Sequence, residues 1–126
     1  MIDTISTDRA PAAIGPYSQA RRAGDFVFVS GQLPIDAKTG KMAPPEIGLQ
    51  TRQSLSNVRA ILEAAGMGME DIVKVNVFLV DMEQFGGMNA AYSDYFSGDF
   101  PARAAVEVAR LPKDALVEIE VVAHRA

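Results

Sequence analysis

Hydrophobic and polar residues follow two rhythms along this chain, and the points where the rhythm changes mark its elements. From Phe26 to Ser30 the period is two. Phe26, Phe28 and Ser30 share one face, Val27 and Val29 the other, which predicts a strand. A shorter extended piece, Tyr17 to Ala20, precedes it across a turn at Arg21-Arg22-Ala23-Gly24-Asp25. Thr4 to Thr7 is a further short candidate strand. Leu33 to Pro45 holds Pro34, Gly40, Pro44 and Pro45 and reads as a surface loop.

The period then becomes helical. Thr51, Leu55, Val58, Leu62 and Ala65 recur at steps of four and three and predict a helix from Ile47 to Ala65, with Arg52, Gln53, Arg59 and Glu63 off the stripe. Gly66 is placed to end it in a left-handed conformation. Ile72 to Val80 reads as a strand covered on both faces, with Lys74 and Asn76 as its polar exceptions. Five of its nine residues are Val or Ile, which suit a pleated sheet. Asp81 can cap a second helix, Met82 to Phe96, with Gln84 in the capping-box position. Phe85, Met88, Tyr92 and Phe96 form its apolar stripe. Two alternating strands follow, Arg103 to Val108 and Ala115 to Ala123, separated by the turn signal Leu111-Pro112-Lys113-Asp114.

The order β-β-α-β-α-β-β predicts a two-layer α+β fold over residues 1–126, read as one domain, with two helices on one face of a mixed sheet. Alternation puts Arg103, Glu118 and Glu120 beside Leu116 and Val122 on the sheet's other face. That mix is too apolar for a solvated surface and too charged for a core. It fits an oligomer interface that also houses a polar site.

Composition narrows the chemistry. The 126 residues contain no cysteine, which removes disulfides, thiolate nucleophiles and cysteine-based metal centres, and suits the cytosol. The opening Met1-Ile2-Asp3-Thr4 lacks a basic and an apolar region, so no secretory signal is expected. No apolar run approaches the ~18 residues of a membrane span. Net charge is −4 with Lys and Arg scattered, which argues against nucleic acid as a partner. His124 is the lone histidine and reads as structural or solvent-exposed. Met67-Gly68-Met69 reads as a helix-end loop rather than a copper-binding stretch. Phe85, Tyr92, Tyr95 and Phe96 read as core rather than as an RNA-stacking platform.

Four ordered stretches carry a resemblance. Ala13-Ile14-Gly15-Pro16-Tyr17-Ser18-Gln19, Val29-Ser30-Gly31-Gln32-Leu33-Pro34, Phe100-Pro101-Ala102-Arg103 and Val106-Glu107-Val108-Ala109-Arg110-Leu111-Pro112 resemble the signature segments of the RidA (YjgF) family. The resemblance spans nearly the whole chain. It implies a chorismate-mutase-like fold, a homotrimer with sites at subunit clefts, and neither metal nor organic cofactor. It also implies hydrolysis of enamines and imines such as 2-aminoacrylate to 2-oxo acids and ammonia. The family's older labels are L-PSP endoribonuclease and translation inhibitor.

An imine of a 2-oxo acid carries a carboxylate beside an electrophilic carbon. Its hydrolysis needs a cation for the carboxylate, an oriented water and a proton relay. Arg103 suits the clamp, because a guanidinium grips a carboxylate with two parallel hydrogen bonds. Glu120 suits water activation and proton transfer, which contributes ~10²–10⁴-fold. By pattern alone Arg103 reads equally as a surface arginine paired with an acid. Glu120 reads equally as a solvent-facing strand residue, as Glu118 does. The family motifs carry the catalytic roles to Arg103 and Glu120, and substrate-binding roles to Tyr17, Ser30, Gly31, Asn89, Arg103 and Ala105. Ala105 departs from the cysteine that family members often hold two residues after the arginine, so any contact there is through the backbone. The competing functions are RNA cleavage and a non-catalytic small-ligand-binding or chaperone-like module.

Overall fold

The computed structural model describes residues 2–126; Met1, the first residue of the stretch read for a leader, lies outside the described residues. Six strands form one mixed sheet: β1 (Ile2–Ile5), β2 (Ala20–Ala23), β3 (Phe26–Gln32), β4 (Ile72–Leu79), β5 (Ala102–Glu107) and β6 (Val117–His124). Their spatial order is β1-β2-β3-β6-β4-β5, antiparallel except for the parallel pair β4 and β5. Helices α1 (Ile47–Ala64) and α2 (Phe85–Ser93) supply the second layer, so the expected α+β architecture is the one observed.

Helix α1 forms where the stripe predicted. Thr51, Leu55, Val58 and Leu62 are buried, and Ile61 joins them. Full burial of side chains such as Leu55 and Leu62 contributes about 1.5–3 kcal/mol each. The Glu46 carboxylate accepts from the Gly48 and Leu49 N–H groups and starts the helix. Those bonds hold its carboxyl below the usual range. At the other end Gly66 has φ +78°, as its position predicted, and the Arg22 guanidinium donates to the Ala65 carbonyl.

Several boundaries differ from the sequence reading. The segment expected as a strand at Tyr17–Ala20 is loop up to Gln19, and the strand is Ala20–Ala23. Arg21 and Arg22 therefore lie in β2, and only Gly24 and Asp25 make the turn. Gly24 has φ +59°, which lets two residues close the hairpin between the paired Ala23 and Phe26. The first strand ends at Ile5 rather than spanning Thr4–Thr7. The second helix is shorter than expected: Met82–Gln84 is a 3₁₀ turn and α2 ends at Ser93. Asp81 caps it by accepting from the Glu83 N–H, but the Gln84 Oε1 is buried without a partner among the described residues, so no capping box forms. The last strand starts at Val117, after a turn in which Lys113 and Asp114 both take left-handed φ values.

The two sheet faces differ. Val27, Val29, Val75, Val77, Leu79, Val117, Ile119, Val121 and Ala123 point toward the helices and are buried. The opposite face carries Phe26, Phe28, Lys74, Asn76, Phe78, Glu118, Glu120 and Val122, and no helix among the described residues covers it. β4 is thus buried on one face rather than on both. No helix among the described residues is long and apolar enough to cross a membrane.

Candidate functional site

The structure gathers the predicted site residues into two groups on opposite sides of the sheet. Arg103 lies on β5, at the sheet edge. Its in-register partner on β4 is Val75, a fully buried core residue, so Arg103 points to the helix side. The expectation that Arg103 shares the open face with Glu118 and Glu120 is therefore corrected. Pairing with β4, not alternation within β5, sets which face an edge strand's residues occupy.

On the helix side α2 holds Arg103 in place. Nη1 donates to Asn89 Oδ1 at 2.7 Å. The guanidinium carbon lies 4.7 Å from the centre of the Tyr92 ring and 5.5 Å from that of Phe85. Phe85, expected as core, is instead half-exposed beside this cation. Among the described residues no hydrogen bond engages Nε or Nη2 of Arg103. That edge is the geometry a carboxylate meets with two parallel bonds. A pocket of about 360 Å³ opens here between Asn89, Tyr92, Ser93, Phe100, Pro101 and Arg103. Ala105 lies one pleat along on the same side, partly buried against the core.

The second group is on the open face. Glu120 pairs with Asn76 across the β4–β6 ladder, and Asn76 Nδ2 donates to Glu120 Oε1 at 3.0 Å. A small cavity beside Glu120 is lined by Phe28, Lys74 and Asn76. Phe28 also borders a wider pocket with Tyr17, Ser30 and Arg21. Tyr17 is 52% exposed on its loop. Ser30 Oγ donates to the Ser18 carbonyl at 2.6 Å, so its hydroxyl can accept from a ligand but its proton is engaged.

Gly31 has a local cause that sequence reading missed. A Cβ there would lie 2.0 Å from Glu118 Oε2, so the missing side chain makes room for that carboxylate. Burial, and next the nearby Glu120, push the Glu118 carboxyl above its usual range. Gln19 was also missed as an organiser. Its buried carboxamide accepts from the Thr7 N–H and donates to the Thr7, Ala10 and Pro11 carbonyls, while its own carbonyl accepts from the Ser30 N–H. It ties the Tyr17 loop to β3. A polar residue at the end of the Ala13–Gln19 motif is the available signal. The His124 ring packs against Phe26 at a tilt of 58°, with centroids 4.8 Å apart.

Comparison with known proteins identifies the family. A family model described as endoribonuclease L-PSP matches residues 7–125. The chain is 51% identical over 128 residues to the 2-iminobutanoate/2-iminopropanoate deaminase of Escherichia coli K12, covering 99% of each. It is 54% identical over 125 residues to a RutC family protein of Pyrococcus horikoshii, again with 99% of each covered. Among solved structures, Escherichia coli TdcF with bound serine superposes with a TM-score of 0.95 at 45% identity, covering 98% of this chain and 99% of that one. The Escherichia coli YjgF gene product gives 0.95 at 50% identity, with the same coverage. An α+β fold shared at this level, with similarity along almost the entire length, means that the chain belongs to the endoribonuclease L-PSP family, which includes the YjgF and RidA proteins.

Proposed function

We propose that this protein hydrolyses small imines and enamines that carry a carboxylate, such as 2-aminoacrylate and its homologues, to 2-oxo acids and ammonia. The observation that carries the reading is Arg103: a partly buried arginine that lines a small pocket, held by Asn89 and Tyr92, with Nε and Nη2 unbonded among the described residues. The deaminase name of the Escherichia coli relative supports the same chemistry.

Glu120 and Tyr17 lie on the open face, across the sheet from Arg103, so one copy does not assemble the whole constellation. We propose that the homotrimer implied by the family resemblance completes it. The Arg103 edge of one copy meets the Tyr17–Ser30–Glu120 face of the next. In that cleft Arg103 binds the substrate carboxylate. Glu120 takes a proton from the attacking water and returns it to the departing nitrogen. Asn76 orients the Glu120 carboxylate by its hydrogen bond. The adduct's hydroxyl then gives up its proton, again by way of Glu120, to the amine as the carbon–nitrogen bond breaks, leaving a 2-oxo acid and ammonia. These steps call on no cofactor.

The test couples a pyridoxal-phosphate enzyme that releases 2-aminoacrylate to detection of pyruvate. The protein should raise the rate above spontaneous hydrolysis. Arg103→Ala should abolish the acceleration while the protein stays folded and oligomeric. Full activity in Arg103→Ala would sink the assignment. A folded wild-type protein that binds 2-oxo acids without accelerating imine hydrolysis would make it a ligand-binding module instead.

A further inference from the structure

We infer that Tyr92 is a positioning residue for Arg103, holding the guanidinium by its ring face so that the Nε–Nη2 edge stays turned toward the substrate carboxylate. The inference rests on the reading of Arg103 as the carboxylate clamp.

An arginine on an edge strand has long, freely rotating χ angles, and a bidentate bond requires the plane of its fork to be fixed. Two constraints at different angles do this here. Asn89 accepts from Nη1 at 2.7 Å and fixes the fork along one N–H direction. Tyr92 lies against the guanidinium at 4.7 Å and limits rotation about that bond, and Phe85 adds a second ring at 5.5 Å. The three residues are spaced i, i+4 and i+7 on α2, so one helical stripe presents all of them to one side chain.

Tyr92 is itself held. It is only 4% exposed, and Phe96 packs on its ring with centroids 4.8 Å apart. Its hydroxyl oxygen is buried with no hydrogen-bond partner among the described residues, so what Tyr92 presents to Arg103 is its ring face. Burial pushes its phenol pKa up, with Arg103 opposing, so the ring remains neutral beneath the cation. A neutral ring face attracts the guanidinium without neutralising it, and leaves its full charge for the carboxylate.

The experiment measures the affinity of 2-oxobutanoate for the oligomer by calorimetry, together with kcat and KM for coupled imine hydrolysis. The variants are Tyr92→Leu, Tyr92→Phe, Phe85→Ala, Arg103→Ala and the double variant Arg103→Ala/Tyr92→Leu. Tyr92→Leu should weaken 2-oxobutanoate and raise KM by about tenfold, the scale of a desolvated cation–π contact, with a smaller change in kcat. Tyr92→Phe keeps the ring and should restore affinity to within about twofold of wild type. In the Arg103→Ala background Tyr92→Leu should add nothing, because its effect runs through that side chain. Should Tyr92→Leu not fold, Phe85→Ala, which removes the outer ring, should still weaken binding by about twofold. Unchanged affinity in a folded Tyr92→Leu, an equal loss in both Arg103 backgrounds, or no rescue by Tyr92→Phe overturns the inference. If Arg103→Ala itself leaves binding and turnover intact, the clamp reading fails; if Arg103 matters and the rings do not, only this inference fails.

Discussion

The two faces of the sheet are built from the same strands, yet they follow different rules. On the helix face β3, β4 and β6 present Val27, Val29, Val75, Val77, Leu79, Val117, Ile119, Val121 and Ala123, buried within the one chain. On the open face the alternate positions hold aromatics, carboxylates and an amide. Phe28 there is 50% exposed. The first face is a core that one copy completes. The second is apolar enough to need cover and polar enough to do chemistry. Arg103 connects the two, since it rises from the helix side at the sheet edge while Glu120 stands on the open side. A site that needs both residues therefore asks for two copies.

The most drastic way to break this contrast is to divide the site between chains. Arg103→Ala and Glu120→Gln should each lose at least about a hundredfold of activity as pure oligomers, the lower range for a removed acid–base or clamping group. When the two are mixed, unfolded and reassembled, about a quarter of the sites should pair an intact Arg103 with an intact Glu120, as a head-to-tail ring interface requires. Recovered turnover near that level supports the two-copy site. No recovery in mixed oligomers would mean that one chain supplies both groups.

A second comparison sets one core residue against one open-face residue. Leu79→Ala, at a fully buried position, should cost about 3 kcal/mol at every protein concentration. Phe28→Ala removes only a half-exposed ring, so within a single copy its cost should stay near 1 kcal/mol. If a second copy covers this face, the Phe28→Ala loss should be larger while the protein is assembled and fall toward that single-copy value on dilution, as mass action demands. Denaturant titrations over a hundredfold range of concentration, paired with sedimentation, check this. A large, concentration-independent loss in Phe28→Ala would erase the distinction between the faces.

The smallest expected effect concerns Glu118. Its carboxyl is raised by burial and then by Glu120, so the folded protein holds the proton more tightly than the unfolded chain does. Stability then falls as pH rises from the ordinary carboxyl value of 4.5 through the raised value. Glu118→Gln is uncharged at every pH. Its advantage over the parent should be present at neutral pH and shrink as pH falls below that window. Denaturation midpoints at several pH values and one protein concentration measure it. An advantage independent of pH would assign the effect to packing rather than to charge.

Much of this was legible in the chain, for reasons particular residues make clear. The α1 stripe was readable because Leu55, Val58 and Leu62 face one continuous core, and Gly66 marked the end because its backbone needs positive φ. The second helix was read too long. Phe96 is in phase with Tyr92, but the helix has ended by Ser93 and Phe96 reaches the core from the loop beyond it. The Tyr17 segment reads as extended because a turn signal follows it at Arg21–Asp25. The Gln19 side chain and its long-range bonds hold it as a loop instead.

The sequence by itself determined the layer architecture, the core alternation of β3 and β6, and the residue types that the proposed imine hydrolysis calls for. Those follow from local period and from motif, which are properties of neighbours along the chain. Only the tertiary structure decided that Arg103 faces the helices, that Asn89, Tyr92 and Phe85 converge on it, and that Gly31 yields space to Glu118. Each of these depends on register between strands or on the docking of a helix against an edge. A shift of one residue in such a pairing exchanges the faces while leaving the local pattern unchanged.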